Sequence, residues 1–382
     1  MGAGRGTDRC IETDFSTHMT DSTSPRILFT GGGTLGPVTP LLAVAAEIRA
    51  FAPDAELSWI GTRTGPERAL VEAAGIPFHA ISSGKFRRYF SFANLVDLAR
   101  VKIGFFQAYA LLGRLRPDMV VSAGGFVAVP VAWAARLRGV KVHIHQQDPI
   151  PGLANKLSLP CATSVSVALE SSLKDFSRRG RVPVWTGNPV RAALLGGSRE
   201  EAVRIFSLEE GLPTVLVLGG GTGSAALNAL VAGALPTLTE HAQIIHVAGA
   251  RKMVPQDPRR YHQYSLLTDT LPHAFAAADL VVTRAGMGTL TELAALGKPA
   301  LIVPMPASHQ EANARVFASA GAGVLLDERH VTPVQFALTV LGLLQGGARR
   351  EALSTAMRGM NKPDAARNIA RMLIDAAASR KG

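Results

Sequence analysis

Two glycine-rich turns, each directly after an apolar strand-like run, constrain the fold of this chain more than any other feature. The first turn spans residues 31–36 (GGGTLG), and the second spans residues 219–223 (GGGTG). An Ala- and Leu-rich stretch at helical spacing follows each turn. Such turns let the backbone approach a bound phosphate, and the next helix offers free N–H groups and the positive end of its dipole. The pattern predicts two Rossmann-like domains that face each other across a cleft.

Strand-like runs alternate with helical stretches in both halves, which predicts an α/β fold with parallel, doubly wound sheets. The 382 residues fit two domains. We expect a disordered extension over residues 1–24, an N-terminal domain over 25–190, a C-terminal domain over 191–360, and a final helix within 361–382 that packs back on the first domain. The predicted strands are residues 27–30, 57–60, 119–122, 140–144, 215–218, 244–247, 280–283 and 300–303.

The charge balance favours an anionic partner. Forty Lys and Arg residues against twenty-nine Asp and Glu give a net charge of +11. Nucleic acid, a nucleotide sugar, a lipid diphosphate or an anionic membrane surface would suit this excess, although solubility alone explains it equally well. The two cysteines, Cys10 and Cys161, lack metal-ligand spacing and indicate a reducing compartment. Residues 1–24 lack the apolar core of a signal peptide.

A basic and aromatic segment at residues 85–106 interrupts the regular alternation. It mixes five Lys and Arg residues with six Phe and Tyr residues. Rings that enter the headgroup boundary and cations that meet lipid phosphates would suit an anionic membrane surface. An ordinary helix with core aromatics and a solvated face is the alternative.

The first turn also matches the dinucleotide fingerprint G-x-G-x-x-G through Gly31, Gly33 and Gly36. A nicotinamide enzyme usually has an acidic residue at the end of the second strand, where it holds the ribose. Here that strand ends in residues 59–63 (WIGTR), without an acidic residue. The fingerprint is therefore incomplete, and a dehydrogenase would leave the second turn unexplained.

A more specific motif occupies residues 283–292 (TRAGMGTLTE), and residues 309–314 (HQEANA) follow it. We expect a strand to end at Thr283 and a helix to begin near Gly288. The first amides of that helix would hold a diphosphate, and Glu292, one turn later, would accept hydrogen bonds from two ribose hydroxyls. A capped helix with an exposed glutamate is the alternative.

The chain from Arg26 onward resembles the MurG family of peptidoglycan glycosyltransferases. These enzymes transfer N-acetylglucosamine from UDP-N-acetylglucosamine to lipid I, the undecaprenyl-diphospho-muramyl-pentapeptide, and so make lipid II. The resemblance implies the two-domain GT-B fold and no metal or other cofactor. It rests on the joint order of these motifs: Gly32-Gly33-Thr34 with Pro40, Ala123-Gly124-Gly125-Phe126, His145-Gln146-Gln147-Asp148, Pro151-Gly152-Leu153-Ala154-Asn155-Lys156, Gly187-Asn188-Pro189-Val190-Arg191, the second glycine turn, residues 284–292, His309-Gln310 and Asn313-Ala314.

The resemblance also implies roles for individual residues. UDP-N-acetylglucosamine would lie mainly in the C-terminal domain, the first glycine turn would face the lipid diphosphate, and residues 85–106 would dock on the anionic cytoplasmic face of the cell membrane. The enzyme would be peripheral to that membrane and would not bind nucleic acid. The implied substrate-binding residues are Thr34, Leu35, Gly36, Asp148, Asn155, Arg191, Gly221, Thr222, Met287, Gly288, Thr289, Leu290, Thr291, Glu292, His309 and Gln310.

The sequence departs from the family at Pro37, where a histidine usually follows the first glycine turn and is commonly proposed as the base or as an acceptor-site residue. Inverting transfer needs a carboxylate or imidazole that takes the proton of the attacking hydroxyl. We predict Asp148 as the replacement base, ahead of His145. A turn or cap before Pro149 is the alternative role of Asp148.

Three other functions remain open from the sequence alone. A transferase of the same fold would glycosylate diacylglycerol or another lipid, and a UDP-N-acetylglucosamine 2-epimerase would share both fold and donor. A non-catalytic binding protein is the third alternative, because Pro37 replaces the expected histidine.

Overall fold

The structure is a computed structural model that describes residues 24–84, 92–177, 182–221, 223–249 and 259–379, with the backbone alone for 92–98. Within these residues the chain forms two parallel sheets, each covered by helices on both faces. The predicted doubly wound α/β fold is therefore confirmed.

The first sheet has the strand order β3-β2-β1-β4-β5-β6-β7, and every pair in it is parallel. Strand β4 is buried along its whole length, and β1 is buried from its second residue onward, as the largely apolar sequences of these two central strands predict. The strands are β1 (Arg26–Thr30), β2 (Glu56–Thr62), β3 (Phe78–Ile81), β4 (Met119–Ser122), β5 (Lys141–Gln146), β6 (Ser164–Val167) and β7 (Val184–Trp185).

The second sheet has the order β10-β9-β8-β11-β12-β13 and is also parallel throughout. Two clusters of buried side chains, one on each face of this sheet, form the core of the second domain. The strands are β8 (Thr214–Leu218), β9 (Gln243–Val247), β10 (Tyr261–Tyr264), β11 (Leu280–Thr283), β12 (Ala300–Ile302) and β13 (Val324–Leu325).

Fourteen α-helices connect the strands among the residues that the structure describes. Three short 3₁₀ turns, at Leu159–Cys161, Glu170–Ser172 and Ala192–Gly196, complete the connections. The helices are α1 (Thr39–Phe51), α2 (Glu67–Ala73), α3 (Phe92–Leu115), α4 (Ala128–Leu137), α5 (Leu153–Ser158), α6 (Leu173–Phe176), α7 (Arg199–Phe206), α8 (Ala225–His241), α9 (Leu271–Ala277), α10 (Met287–Leu296), α11 (Gln310–Ser319), α12 (Pro333–Gln345), α13 (Gly347–Gly359) and α14 (Ala365–Ala378).

The topology places a crevice in each domain at the point where the strand order reverses. In the first sheet β1 lies between β2 and β4, and in the second sheet β8 lies between β9 and β11. Ligands of open parallel sheets bind outside the carboxyl ends of the strands at such points. The glycine turn after β1 and the glycine turn after β8 both start there.

The last helix crosses back to the first domain. Ile369, Ala370 and Leu373 of α14 are fully buried in the cluster that surrounds β1 and α1. The chain therefore passes between the domains twice, once after β7 and once before α14. The two crossings touch, because Lys362 Nζ lies 3.5 Å from the ring centroid of Trp185.

Five strands had not been predicted: β3, β6, β7, β10 and β13. Two of them have only two residues, and β10 reads Tyr-His-Gln-Tyr, without an apolar run. In the part of the chain that the structure describes, no helix is both long enough and apolar enough to cross a bilayer.

Candidate active site

The two glycine turns meet across the cleft between the domains. A β-carbon placed on Gly221 would lie 3.2 Å from Leu35 Cδ1, so the missing side chain makes room for Leu35. A β-carbon on Gly288 would lie 3.7 Å from Thr39 Oγ1. The first turns of α1 and α10, one from each domain, therefore approach each other at the cleft.

Among the described residues, neither of these helices has a side-chain cap at its N-terminus, whereas Ser198 and Ser224 cap α7 and α8. The two helix starts differ in their backbone amides. In α1 the Thr39 amide already donates to the Leu35 carbonyl and Pro40 has no N–H, whereas the first amides of α10 have no partner within the helix. The start of α10 therefore forms an environment that favours a multiply charged anion.

Glu292 lies one turn into α10 and is buried beside this anion-binding environment. Its side chain is 13% exposed, and Arg191 Nη2 lies 3.9 Å from Glu292 Oε1, too far for a hydrogen bond. Burial raises the pKa of Glu292 to about 7, although the charge of Arg191 opposes this shift. Within the part of the chain that the structure describes, Arg191 Nε is buried without a hydrogen-bond partner, although the side chain as a whole is 33% exposed. A largely buried carboxyl and a guanidinium with an unused donor suit a polar ligand.

Asp148 follows β5 of the N-terminal domain and contacts the second domain. Its Oδ1 accepts a hydrogen bond of 2.8 Å from Asn313 Nδ2 of α11. Burial raises the pKa of Asp148, while the Asn313 hydrogen bond and the charge of nearby His309 oppose this shift. The structure therefore brings the predicted base to the face of the C-terminal domain.

His309 and Gln310 begin α11 beside this contact. His309 is exposed at the N-cap position, and Gln310 Oε1 accepts a 3.0 Å hydrogen bond from the Met305 amide. This bond fixes the Gln310 side chain and leaves its NH₂ group as a donor for a ligand.

Asn155 acts on the same loop through Gln146. Asn155 Nδ2 donates to Gln146 Oε1 over 2.7 Å, and Gln146 Nε2 donates to the carbonyl of Asp148 over 2.7 Å. Asn155 is buried, so it supports the conformation of the Asp148 loop. We assign it this indirect role in place of the direct substrate contact that was predicted.

His145 lies in a buried polar chain that crosses between the domains. His143 Nε2 and His145 Nδ1 both contact Ser166 Oγ, at 2.9 Å each. His145 Nε2 lies 3.0 Å from Asn188 Oδ1, and Asn188 Nδ2 donates to Thr291 Oγ1 of α10 over 2.9 Å. From the sequence alone, Asn188 is named only as part of the motif at residues 187–191.

The hydroxyl of Thr291 determines which group donates in each hydrogen bond at this end of the polar series. Its single hydroxyl proton points to the carbonyls of Met287 and Gly288, at 2.9 Å each, so its oxygen accepts from Asn188. Asn188 Oδ1 must then accept from His145 Nε2–H. Burial lowers the pKa of His145 to about 4, which keeps the ring neutral.

His145 consequently has no free lone pair, because Nδ1 accepts from Ser166 and Nε2 carries the proton. The geometry does not support the prediction of His145 as an alternative base. We assign it a positioning role, through Asn188, on the first turn of α10.

The other predicted site residues divide into two groups. Thr34 and Gly36 are exposed in the first glycine turn, and Thr289 is partly exposed in the first turn of α10. Leu290 is fully buried and donates its amide to the Gly286 carbonyl, so it belongs to the core and cannot contact a ligand as predicted. The side chain of Met287 is also buried, which leaves only its backbone near the cleft. Thr222 lies outside the described residues.

Comparison with known proteins identifies the family. The family model for the glycosyltransferase family 28 N-terminal domain matches residues 27–167. The model for the glycosyltransferase family 28 C-terminal domain matches residues 214–369. A UDP-N-acetylglucosamine–N-acetylmuramyl-(pentapeptide) pyrophosphoryl-undecaprenol N-acetylglucosamine transferase from Shouchella clausii is 41% identical over 313 residues, covering 80% of this chain and 87% of its own. This chain belongs to the MurG family of glycosyltransferases.

Two further MurG-family proteins extend the similarity over more of the chain. A transferase of the same name from Legionella pneumophila (strain Lens) is 36% identical, with 89% of this chain and 91% of its own length covered. The crystal structure of Acinetobacter baumannii MurG superposes with a TM-score of 0.68 at 26% identity, covering 91% of this chain and 99% of that chain. The predicted family and enzyme class, a hexosyltransferase, are therefore confirmed.

The crossing hydrogen bonds predict a stability effect at Asn188. Asn188→Ala leaves the buried His145 Nε2–H without an acceptor and deprives Thr291 of its donor. We expect the free energy of unfolding to fall by about 1 to 3 kcal/mol, measured by urea denaturation. The matched control is Asn361→Ala at an exposed position, which should change stability by less than about 0.5 kcal/mol. Equal effects of the two substitutions would contradict the role of the crossing bond.

Proposed function

We propose that this MurG-family chain transfers N-acetylglucosamine from UDP-N-acetylglucosamine to the muramyl 4-hydroxyl of lipid I, with inversion at the anomeric carbon. The observation that supports this proposal best is the placement of Glu292. Its carboxyl is largely buried one turn into α10, and Arg191 Nη2 lies 3.9 Å from it, beyond hydrogen-bond distance. The names of the 36–41% identical relatives supply the substrates.

The donor would bind mainly to the C-terminal domain. The free amides at the start of α10 would hold the diphosphate, and Glu292 would accept hydrogen bonds from the ribose hydroxyls. Arg191, with its unused Nε–H, would neutralise charge at the nucleotide, and Gln310 and His309 would contact the sugar hydroxyls. This arrangement binds the leaving diphosphate more strongly as its charge increases during bond cleavage.

Asp148 would act as the general base. The acceptor 4-hydroxyl oxygen forms a bond to the anomeric carbon, the bond from that carbon to the UDP oxygen breaks, and the hydroxyl proton passes to the Asp148 carboxylate. The electron pair of the broken bond remains on UDP. Because burial raises the pKa of Asp148, its carboxylate is a better base than an exposed aspartate.

An acceptor with a diphosphate would suit the surface next to Asp148. A cavity of about 480 Å³ begins at Pro149, the residue after Asp148, and Lys156, Lys174, Asp175 and Phe176 are among the residues that line it. Its two lysines outnumber its one aspartate and favour an anionic ligand, and its proline and phenylalanine side chains favour an apolar one.

The membrane-facing surface would extend over three helices of the N-terminal domain. Ile103 and Phe106 of α3 are 51% and 68% exposed, and Leu137 of α4 is 66% exposed. Trp133 of α4 is also exposed and donates a 3.1 Å hydrogen bond to the Leu157 carbonyl of α5, which joins the helices. Such side chains suit the headgroup boundary of a bilayer. Residues 85–91 of the predicted segment lie outside the described residues.

The central experiment is a transfer assay. The purified chain is mixed with UDP-[¹⁴C]N-acetylglucosamine and a short-chain lipid I analogue, and labelled disaccharide lipid is separated by chromatography. Transfer to the analogue but not to diacylglycerol supports the proposal. Transfer to diacylglycerol alone, or epimerised donor without transfer, would overturn it.

The raised pKa of Glu292 predicts that donor affinity depends on pH. Below pH 7 the free protein holds a protonated carboxyl, whereas the ribose hydroxyls bind the ionised form. Affinity is therefore complete above pH 7 and falls as the pH decreases, by about tenfold between pH 8 and pH 6. Calorimetry with UDP-N-acetylglucosamine measures this change. Glu292→Gln should bind weakly with no such dependence, and a flat profile in the wild type would contradict the role.

The base assignment predicts a loss of turnover in Asp148→Asn. The amide keeps the shape of the side chain but cannot take a proton, so kcat should fall by about 10²- to 10⁴-fold with donor affinity unchanged. Asp54→Asn, at an exposed position remote from the cleft, is the control and should retain activity. Near-normal turnover of Asp148→Asn would assign Asp148 a structural role only.

The exposed apolar side chains predict binding to anionic liposomes. Ile103→Ser with Phe106→Ser should lower the partition coefficient by about tenfold or more in sedimentation assays. We leave Phe105 unchanged, because it packs against the core. The control is Leu338→Ser on α12 of the other domain, which is 62% exposed. Equal sedimentation of the wild type, the double variant and the control would argue against this surface.

A further inference from the structure

A buried carboxylate underlies the first glycine turn. We propose that Glu67 is a positioning residue: it accepts hydrogen bonds from inside the first glycine turn and holds the turn in the form that receives the acceptor. The inference rests on the proposed transfer reaction for its acceptor, and on contacts of Glu67 itself for its geometry.

Glu67 begins α2 and is completely buried. Its Oε1 accepts hydrogen bonds from the Thr62 amide over 2.7 Å and from Thr62 Oγ1 over 2.5 Å. Its Oε2 accepts from the Gly33 amide over 3.1 Å. An ionised carboxylate only accepts hydrogen bonds, and all three of these partners are donors. The site is therefore built for a negative charge, as burial of a charged group requires.

Three glycines leave the space that this carboxylate fills. A β-carbon on Gly32 would lie 2.2 Å from Glu67 Oε1, and one on Gly65 would lie 1.9 Å from Oε2. A β-carbon on Gly61 would lie 3.2 Å from Oε1. Side chains at these positions would overlap or crowd the carboxylate. The first glycine turn is thus shaped around an internal group as well as around a ligand.

Gly33 is the second glycine of the G-x-G-x-x-G pattern, the position where a dinucleotide-binding backbone approaches the pyrophosphate. Here its amide is already donated to Glu67, and its φ of +82° lies in the left-handed region that favours glycine. While Glu67 accepts from this amide, the Gly33 N–H is not available to a ligand. The exposed residues Thr34 and Gly36 are therefore the part of the turn that can face the acceptor.

The carboxylate also fixes the part of the turn that reaches the cleft. Thr34 and Gly36 remain exposed, and Leu35 is held against Gly221 of the C-terminal domain. The Leu35 carbonyl accepts from the Val38 and Thr39 amides, which starts α1. If Glu67 releases Gly33, the exposed residues of the turn lose their position relative to the acceptor, while α10 and the donor site remain unchanged.

The test compares Glu67→Gln with Glu72→Gln, an exposed glutamate on the same helix. In Glu67→Gln an NH₂ group replaces one acceptor, so either Gly33 or Thr62 faces a second donor. We expect the KM for the lipid I analogue to rise about tenfold or more, with UDP-N-acetylglucosamine affinity within about twofold of wild type by calorimetry. Glu72→Gln should change neither quantity.

An equal loss of donor and acceptor affinity, or an unchanged acceptor KM in folded Glu67→Gln, would overturn the proposal. If Glu67→Gln fails to fold, Thr62→Val decides: it removes the hydroxyl that fixes Glu67 Oε1, which frees the carboxylate to move away from the Gly33 amide. An acceptor KM raised about threefold supports the proposal and an unchanged KM refutes it.

Hydrogen exchange separates this inference from the proposed function. The amide of Gly33 should be protected in the wild type and should exchange faster in Glu67→Gln, while amides of β8 stay unchanged. If the wild type transfers nothing to the lipid I analogue, the proposed function fails, and exchange alone decides whether Glu67 holds the turn. Unchanged exchange at Gly33 in folded Glu67→Gln would refute that as well.

Discussion

Two hydrogen bonds between the domains, from Asn188 to Thr291 and from Asn313 to Asp148, determine how the cleft is assembled. Apolar contacts such as Leu35 on Gly221 tolerate sliding, whereas buried hydrogen bonds have a narrow range of length and angle. The two bonds therefore fix the relation between the Asp148 loop and the first turns of α10 and α11. Every proposed step of the transfer depends on that relation.

Each of these hydrogen bonds involves a proposed site residue or its neighbour in the sequence. Thr291 belongs to the turn of α10 that precedes Glu292, and Asn313 holds the carboxyl of Asp148 itself. A buried polar group without a partner costs more than its bond contributes, so these residues resist separation once the cleft has closed. The same two hydrogen bonds thus set both the arrangement of the domains and the geometry of the candidate site. The second domain has its own buried histidine, His246, bonded to Asn228 and Tyr261.

The parts of the fold with a strong local signal were predictable from the sequence. Strands β4 and β11 match their predicted bounds because each is a short apolar run between turn residues. Strand β6 reads Ser-Val-Ser-Val, and its serines are explained only by the histidines of β5, a partner that the sequence does not reveal. Motifs predict Glu292 and Asp148 as site residues, and both stay predictions. The hydrogen bond of His145 to Asn188, 43 residues away, has no local sequence signal. Glu67 was missed because its partners belong to two separate turns.

The double passage of the chain between the domains limits the motions that can open the cleft. A single linker leaves rotation about every axis free, whereas two crossing segments in contact restrict it, and Gly187 and Lys362 lie in contact. A rotation that separates Lys362 from Trp185, or pulls α14 from the core that holds Leu373, loses these contacts. Openings of the cleft that keep both contacts are therefore favoured, which helps the donor-side and acceptor-side groups to return to the same register.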